Sequence, residues 1–297
     1  MNHRFRFNRE SRERIRDYAR GGDGKQDSAP QETAQAPVTS PTEAQVSEKL
    51  VEAARAEEAS REPITVTVRT DIGRVRASNQ DAVIHAGTLC GVADGMGGHQ
   101  GGEIASAFTR DTLVAQLEGQ EPEMAALTRA VKAVNRRLFL RAQEEGPQGM
   151  GTTLSVIWLG REGAFIAHVG DSRVYLLREG HLRQVTDDHS MVMEMVRAGV
   201  LTSEQAANHP MRNVITRAIG TESGVDVDCI MEPRRKGDLW LICSDGLHGM
   251  VPDARMEELL RSHPQEEAAN LLLQAALDAG GHDNVSFVLV YDREGAQ

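Results

Sequence analysis

Five aspartates stand where short apolar runs begin or stop. Asp94 follows Leu89-Cys90-Gly91-Val92-Ala93 and precedes Gly95-Met96-Gly97-Gly98, while Asp245 follows Leu241-Ile242-Cys243-Ser244 and precedes Gly246. Asp171 follows Ala167-His168-Val169-Gly170, Asp81 precedes Ala82-Val83-Ile84, and Asp283 lies just before the run that starts at Val285. A carboxylate at the edge of a buried strand is costly unless a counter-charge or hydrogen-bond donors meet it. One Asp-Gly pair alone is ordinarily a turn. Five such sites, each with Gly or Asn nearby, point to backbone converging on something small and cationic. An all-oxygen donor set selects hard divalent ions such as Mg²⁺ and Mn²⁺, which keep several waters.

A cysteine-based chemistry competes with this reading, because Cys229 and Arg235 have the C-x5-R spacing of cysteine phosphatases. That reaction needs a glycine-rich loop whose amides cradle phosphate and a thiol of depressed pKa. The intervening Ile-Met-Glu-Pro-Arg has no glycine, loses one N–H to proline and adds the repelling Glu232. It is rejected. Cys90, Cys229 and Cys243 are odd in number and scattered, which also argues against a disulfide framework or a structural zinc site. A reducing, cytoplasmic compartment is the expectation.

Positioning five carboxylates requires a rigid scaffold. Strands are expected at 64–70, 88–93, 153–159, 163–169, 173–178, 226–232, 239–244 and 285–291, each short, with β-branched or aromatic residues and turn formers at the borders. Helical patterns cover 102–118, 122–144 and 265–279, with short helices around Gly199 within 190–208. Most strands follow one another closely, so an α+β fold is expected, with two antiparallel β-sheets sandwiched between helices. There are no internal repeats.

Composition sets the boundaries. Of 297 residues, 40% are hydrophobic, enough for a core, whereas 4% are aromatic and the net charge is −11. An acidic chain lacks the basic footprint of a nucleic-acid binder, and no apolar run reaches the roughly 18 residues a membrane helix needs. Residues 1–62 carry seven arginines before Gly21, then a stretch rich in Ala, Gln, Glu, Ser, Thr and Pro. That segment is expected to be a disordered N-terminal arm, since it has little apolar surface to offset the cost of ordering. Its net charge is −1, leaving −10 on residues 63–297.

Eight short motifs, in order over about 64–292, carry a resemblance. They are Thr70–Asp81 (TDIGRVRASNQD), Val92–Gly98 (VADGMGG), Gly149–Leu154 (GMGTTL), His168–Arg173 (HVGDSR), Thr186–Ser190 (TDDHS), His209–Arg217 (HPMRNVITR), Cys243–Leu247 (CSDGL) and Gly281–Val285 (GHDNV). The chain resembles the metal-dependent serine/threonine phosphatases of the PP2C (PPM) family in their bacterial form. The resemblance implies a phosphatase domain over 63–293 and hydrolysis of phosphoserine and phosphothreonine on proteins at a binuclear Mn²⁺ or Mg²⁺ centre. It implies that Asp94 bridges two ions with the Gly95 carbonyl as a further ligand, that Asp245 and Asp283 hold one ion, and that Asp81 holds the other through water. Arg76 would bind the substrate phosphate, and Asp171 with Asp245 would form a possible third metal site. Implied partners are phosphorylated proteins and a cognate Ser/Thr kinase, for a monomer without nucleic acid or a membrane span. Two rivals share the fold: a phosphatase dedicated to an anti-sigma-factor antagonist, and a catalytically silent binding module.

The chain departs from eukaryotic members at Met96, which replaces a histidine proposed as the general acid; His99 lies near in sequence. Gln80 stands where many members carry Glu. Residues 187–215 correspond to the variable flap, where Met191, Met193, Met195 and Val192 are expected chiefly to pack the flap onto the domain.

Overall fold

The computed structural model describes residues 63–295 apart from 98–99, 145–148 and 208. The arm at 1–62 and His99 thus lie outside the described residues. The chain divides into two units, Met1–Ala53 and Ala54–Gln297, and every described residue belongs to the second.

In chain order the elements are β1 (Ile64–Asp71), β2 (Asp81–Ala86), β3 (Leu89–Met96), α1 (Gly101–Leu117), α2 (Met124–Glu144), β4 (Gly151–Thr152), β5 (Leu154–Leu159), β6 (Ala164–Val169), β7 (Arg173–Arg178) and β8 (His181–Gln184). After these come α3 (Met191–Arg197), α4 (Ser203–Ala207), β9 (Asp228–Glu232), β10 (Leu239–Cys243), α5 (Asp245–His248), α6 (Asp253–Ser262), α7 (Gln265–Asp278) and β11 (Val285–Asp292). One sheet runs β1-β11-β10-β7-β8, the other β2-β3-β5-β6-β9, with β4 paired to β3. All the pairings are antiparallel.

Three apolar layers hold the elements. Val92, Ile157 and Ile166 of one sheet meet Val174, Trp240, Ile242 and Val288 of the other. The outer face of the second sheet is covered by α1 and α2 through Leu113, Leu127, Val131, Val134 and Leu138. The outer face of the first is covered by α6 and α7 through Met256, Leu259, Leu260, Ala269 and Leu272. Within β10, Leu239, Leu241 and Cys243 face one layer while Trp240 and Ile242 face the other, as a period of two requires. With both faces buried, the strand reads as an unbroken apolar run. Each such side chain contributes about 1.5–3 kcal/mol by leaving water.

The two sheets deliver their strand ends to the same edge of the sandwich. β3 ends, β2 and β5 begin and β6 ends there in one sheet; β10 ends and β7 and β11 begin there in the other. Ser244 Oγ, just past β10, donates to Asp81 Oδ2 at the start of β2 across 2.8 Å.

Candidate active site

The antiparallel register of β2 and β3 sets Asp81 directly opposite Asp94. Asp245 opens α5 after β10, Asp283 precedes β11, and Asp171 sits in the β6–β7 connection that passes from one sheet to the other. Four of the carboxylates, Asp81, Asp94, Asp171 and Asp245, feel the charges of their neighbours. Burial, then the charges of Asp81, Asp245, Asp171 and Asp283, hold the Asp94 carboxyl far above the usual range. Burial also raises Asp81 and Asp171 to about 7 and Asp245 to about 6, with neighbouring aspartates adding to each. Such mutual elevation marks a site starved of positive charge.

The glycines after Asp94 and Asp245 answer to packing. A Cβ on Gly95 would lie 2.0 Å from the Gly102 carbonyl oxygen, and one on Gly246 would lie 1.9 Å from that of Asn284. Backbone therefore approaches backbone behind each aspartate, fixing where its side chain leaves the main chain. The Gly95 N–H donates to the Gln80 carbonyl (3.1 Å), so Gln80 acts on the site through its backbone.

Arg76 lies on the loop between β1 and β2, half exposed, with Nη2 donating to Asp283 Oδ2 at 2.6 Å. Asn284 fixes that loop: its Oδ1 accepts from the Gln80 N–H (2.8 Å) and its Nδ2 donates to the carbonyls of Ile72 (2.9 Å) and Ser78 (3.0 Å). The Asp94 N–H donates to Thr153 Oγ1 (2.9 Å), which lies 2.7 Å from Ser172 Oγ, linking Asp94 to the residue after Asp171.

Histidines hold the Asp171 turn. Burial depresses His248 to about 3, so its neutral ring donates from Nε2 to the Asp171 carbonyl (3.0 Å). His189 Nδ1 accepts from the Gly170 N–H (3.0 Å), leaving Nε2–H to donate to Asp228 Oδ2 (3.1 Å). The His189 backbone N–H also donates to the Gly170 carbonyl (2.7 Å), and its carbonyl accepts from the Thr216 N–H (2.8 Å). Both ends of the 187–215 segment are thereby tied to the turn that carries Asp171. Within it, Val192 of α3 is buried while Met191, Met193 and Met195 are half-buried.

The donor set fits a hard divalent cation. Asp245 Oδ1 is buried with no hydrogen-bond partner, a cost that a cation would remove. A donor set made of carboxylate oxygens suits Mg²⁺ or Mn²⁺, which bind through few protein oxygens and retain water, better than a zinc site built on Cys and His. The thiol chemistry has no such support: burial raises Cys243 well above its ordinary range and Cys90 to about 12, and Cys229 is exposed on β9.

The family profile of protein phosphatase 2C matches residues 73–278. The chain is also 40% identical over 239 residues to the serine/threonine phosphatase stp of Listeria innocua, covering 75% of this chain and 93% of that protein. The chain belongs to the protein phosphatase 2C family. The fold agrees: the crystal structure of the Mycobacterium tuberculosis serine/threonine phosphatase PstP/Ppp superposes with a TM-score of 0.74 at 40% identity, over 78% of this chain and 99% of that one. A crystal structure of the catalytic domain of PstP in complex with two manganese ions gives 0.69 at 36% identity, over 79% and 99%. As a phosphatase of this family, the protein has its aspartates, Arg76 and the flap at one edge of the sandwich.

Sequence reasoning named Asp81, Asp94, Asp171, Asp245, Asp283 and Arg76, and these converge. It gave no role to Asn284, Ser244, Thr153, His189 or His248. All of these but His248 lie inside the eight motifs, but their partners lie far away in sequence and only the fold reveals them.

Proposed function

We propose that the chain hydrolyses phosphoserine and phosphothreonine on proteins at a binuclear Mn²⁺ or Mg²⁺ centre, reversing a cognate Ser/Thr kinase in the cytoplasm. The observation that carries the reading is the convergence of five aspartates at one edge, four of which (Asp81, Asp94, Asp171 and Asp245) have carboxyls raised by burial and neighbouring charge, with Asp245 Oδ1 buried and unpartnered. The manganese-bound PstP relative supports the metal and the count of two.

In this reading Asp94 would be shared by two cations, with the Gly95 carbonyl as a further ligand. Asp245 and Asp283 would hold one ion, Asp81 would hold the other through water, and Asp171 with Asp245 would hold a possible third. The bound cations supply Lewis acidity toward the phosphoryl oxygens and lower the pKa of water. Arg76 holds the phosphate: Asp283 engages one of its five N–H donors, so the half-exposed guanidinium has others for a phosphoryl oxygen. Asn284 orients Arg76 by clamping both ends of its loop. Ser244 holds Asp81 in one rotamer, and His189 and His248 hold the Asp171 turn. Met96 has no proton to give, so the chain offers no side-chain acid at that position.

The test is reactivation after chelation. The chelated protein should release no phosphate from phosphoserine or phosphothreonine peptides, and Mn²⁺ or Mg²⁺ should restore turnover. Hydrolysis that persists in chelator would refute the reading.

A further inference from the structure

On an acidic domain, α2 is conspicuously basic. It carries Arg129, Lys132, Arg136, Arg137 and Arg141 against a single acid, Glu144. Arg137 and Arg141 lie over the Phe108 ring of α1, 5.9 and 5.1 Å from its centroid. The other three are spaced by three and four residues, which aligns them on one helix face. They are exposed, and none is ion-paired among the described residues.

Lys132 and Arg136 form one wall of a polar cavity of about 520 Å³ whose opposite wall is the chain at 216–226, including Arg217 and Thr221. The walls are locked together. Asn135, between the two cations and 1% exposed, accepts from the Gly220 N–H (2.8 Å) and donates to the Glu222 carbonyl (3.0 Å). The cavity is therefore built into the fold.

It also adjoins the aspartates. Gly95 pairs with Thr152, and Thr152 pairs in turn with Ile219. Two ladder steps at about 4.8 Å put the 216–221 wall about 10 Å from the end of β3. An extended peptide advances about 3.3 Å per residue, so a chain leaving the phosphate site reaches the cavity in roughly three to five residues.

We propose that the groove between α2 and residues 216–226 is a specificity subsite for carboxylates of the phosphoprotein, three to five residues from the scissile phosphoserine. Lys132 and Arg136 supply the attraction; Arg217 is already paired with Asp228 (2.9 Å). Glu222 and Asp226, also lining the groove, temper it and admit an acidic strand only in registers that face α2. This inference rests on the phosphoprotein phosphatase reading, and the experiment separates the two.

The full chain with Mn²⁺ is given three phosphoserine peptides: two Glu at three to five residues on the N-terminal side, the same on the C-terminal side, or Gln at all these positions. One acidic peptide should exceed the Gln peptide about tenfold in kcat/KM, through KM, because the subsite is remote from the reacting atoms. Lys132→Ala/Arg136→Ala should bring that ratio to within about twofold of unity, Glu222→Gln/Asp226→Asn should raise it, and added salt should lower it. Equal rates on all three peptides, or a preference that the Lys132/Arg136 variant keeps, would overturn the subsite. Failure to hydrolyse any peptide or a small aryl phosphate would instead strike the phosphatase reading.

Discussion

Asp171 separates metal ligation from mere turn geometry. Its backbone carbonyl is already held by His248 and the preceding residue by His189, so the turn does not need the carboxylate to keep its shape. The Asp171→Ala variant should therefore fold with a melting temperature within a few degrees of wild type, retain two tightly bound Mn²⁺, and show a lower kcat with a higher Mn²⁺ requirement. Calorimetric titration beside a melting curve checks this; unchanged metal stoichiometry with a clear loss of stability would remove Asp171 from the ligand set. The thiols give a control. Cys229→Ser and Cys243→Ser should keep metal-dependent turnover, since one cysteine is exposed on β9 away from the aspartates and the other is buried in the core. Loss of turnover in a folded Cys243→Ser protein would reopen cysteine chemistry.

At the scale of elements, the strands that bury both faces were legible as apolar runs, and 154–159, 173–178 and 239–243 lie where the pattern puts them. β2 was not recognised as a strand, because only Ala82 and Ile84 of its six residues are buried and its length is short for a period of two to show. α6 was missed for a similar reason: three buried residues, Met256, Leu259 and Leu260, sit among charges and follow Pro252. The aspartates were legible because each ends or starts a run, yet the Asp-Gly pairs carried a second message, close backbone packing, that spacing alone does not convey. Gly246→Ala tests it. A Cβ 1.9 Å from the Asn284 carbonyl oxygen forces α5 and β11 apart, at a cost of about 3 kcal/mol. That corresponds to roughly 6–12 °C in melting temperature. A melting curve unchanged from wild type would show that the two backbones can separate freely.

Across the whole molecule, the elevated aspartates couple stability to pH and metal. Asp81 and Asp171 near 7 and Asp245 near 6 bind protons more tightly when folded than when unfolded. Their contribution is thus fully present below about pH 4 and is lost as pH rises through 6 and 7 in the absence of metal. Mn²⁺ replaces those protons, so its stabilisation should be small at pH 5 and largest at pH 8, measured as the shift in melting temperature between chelator and excess Mn²⁺. A shift independent of pH would detach the carboxylates from the metal. The central claim, that this edge of the sandwich is a two-cation phosphatase centre bridged by Asp94, is tested most directly by phosphate release from a phosphoserine peptide as Mn²⁺ is raised from zero, for wild type and Asp94→Asn. Wild-type turnover should rise from nothing to saturation while Asp94→Asn stays near zero at every concentration; a variant that keeps more than about a tenth of the wild-type rate, a loss of less than about 1.4 kcal/mol, would contradict it.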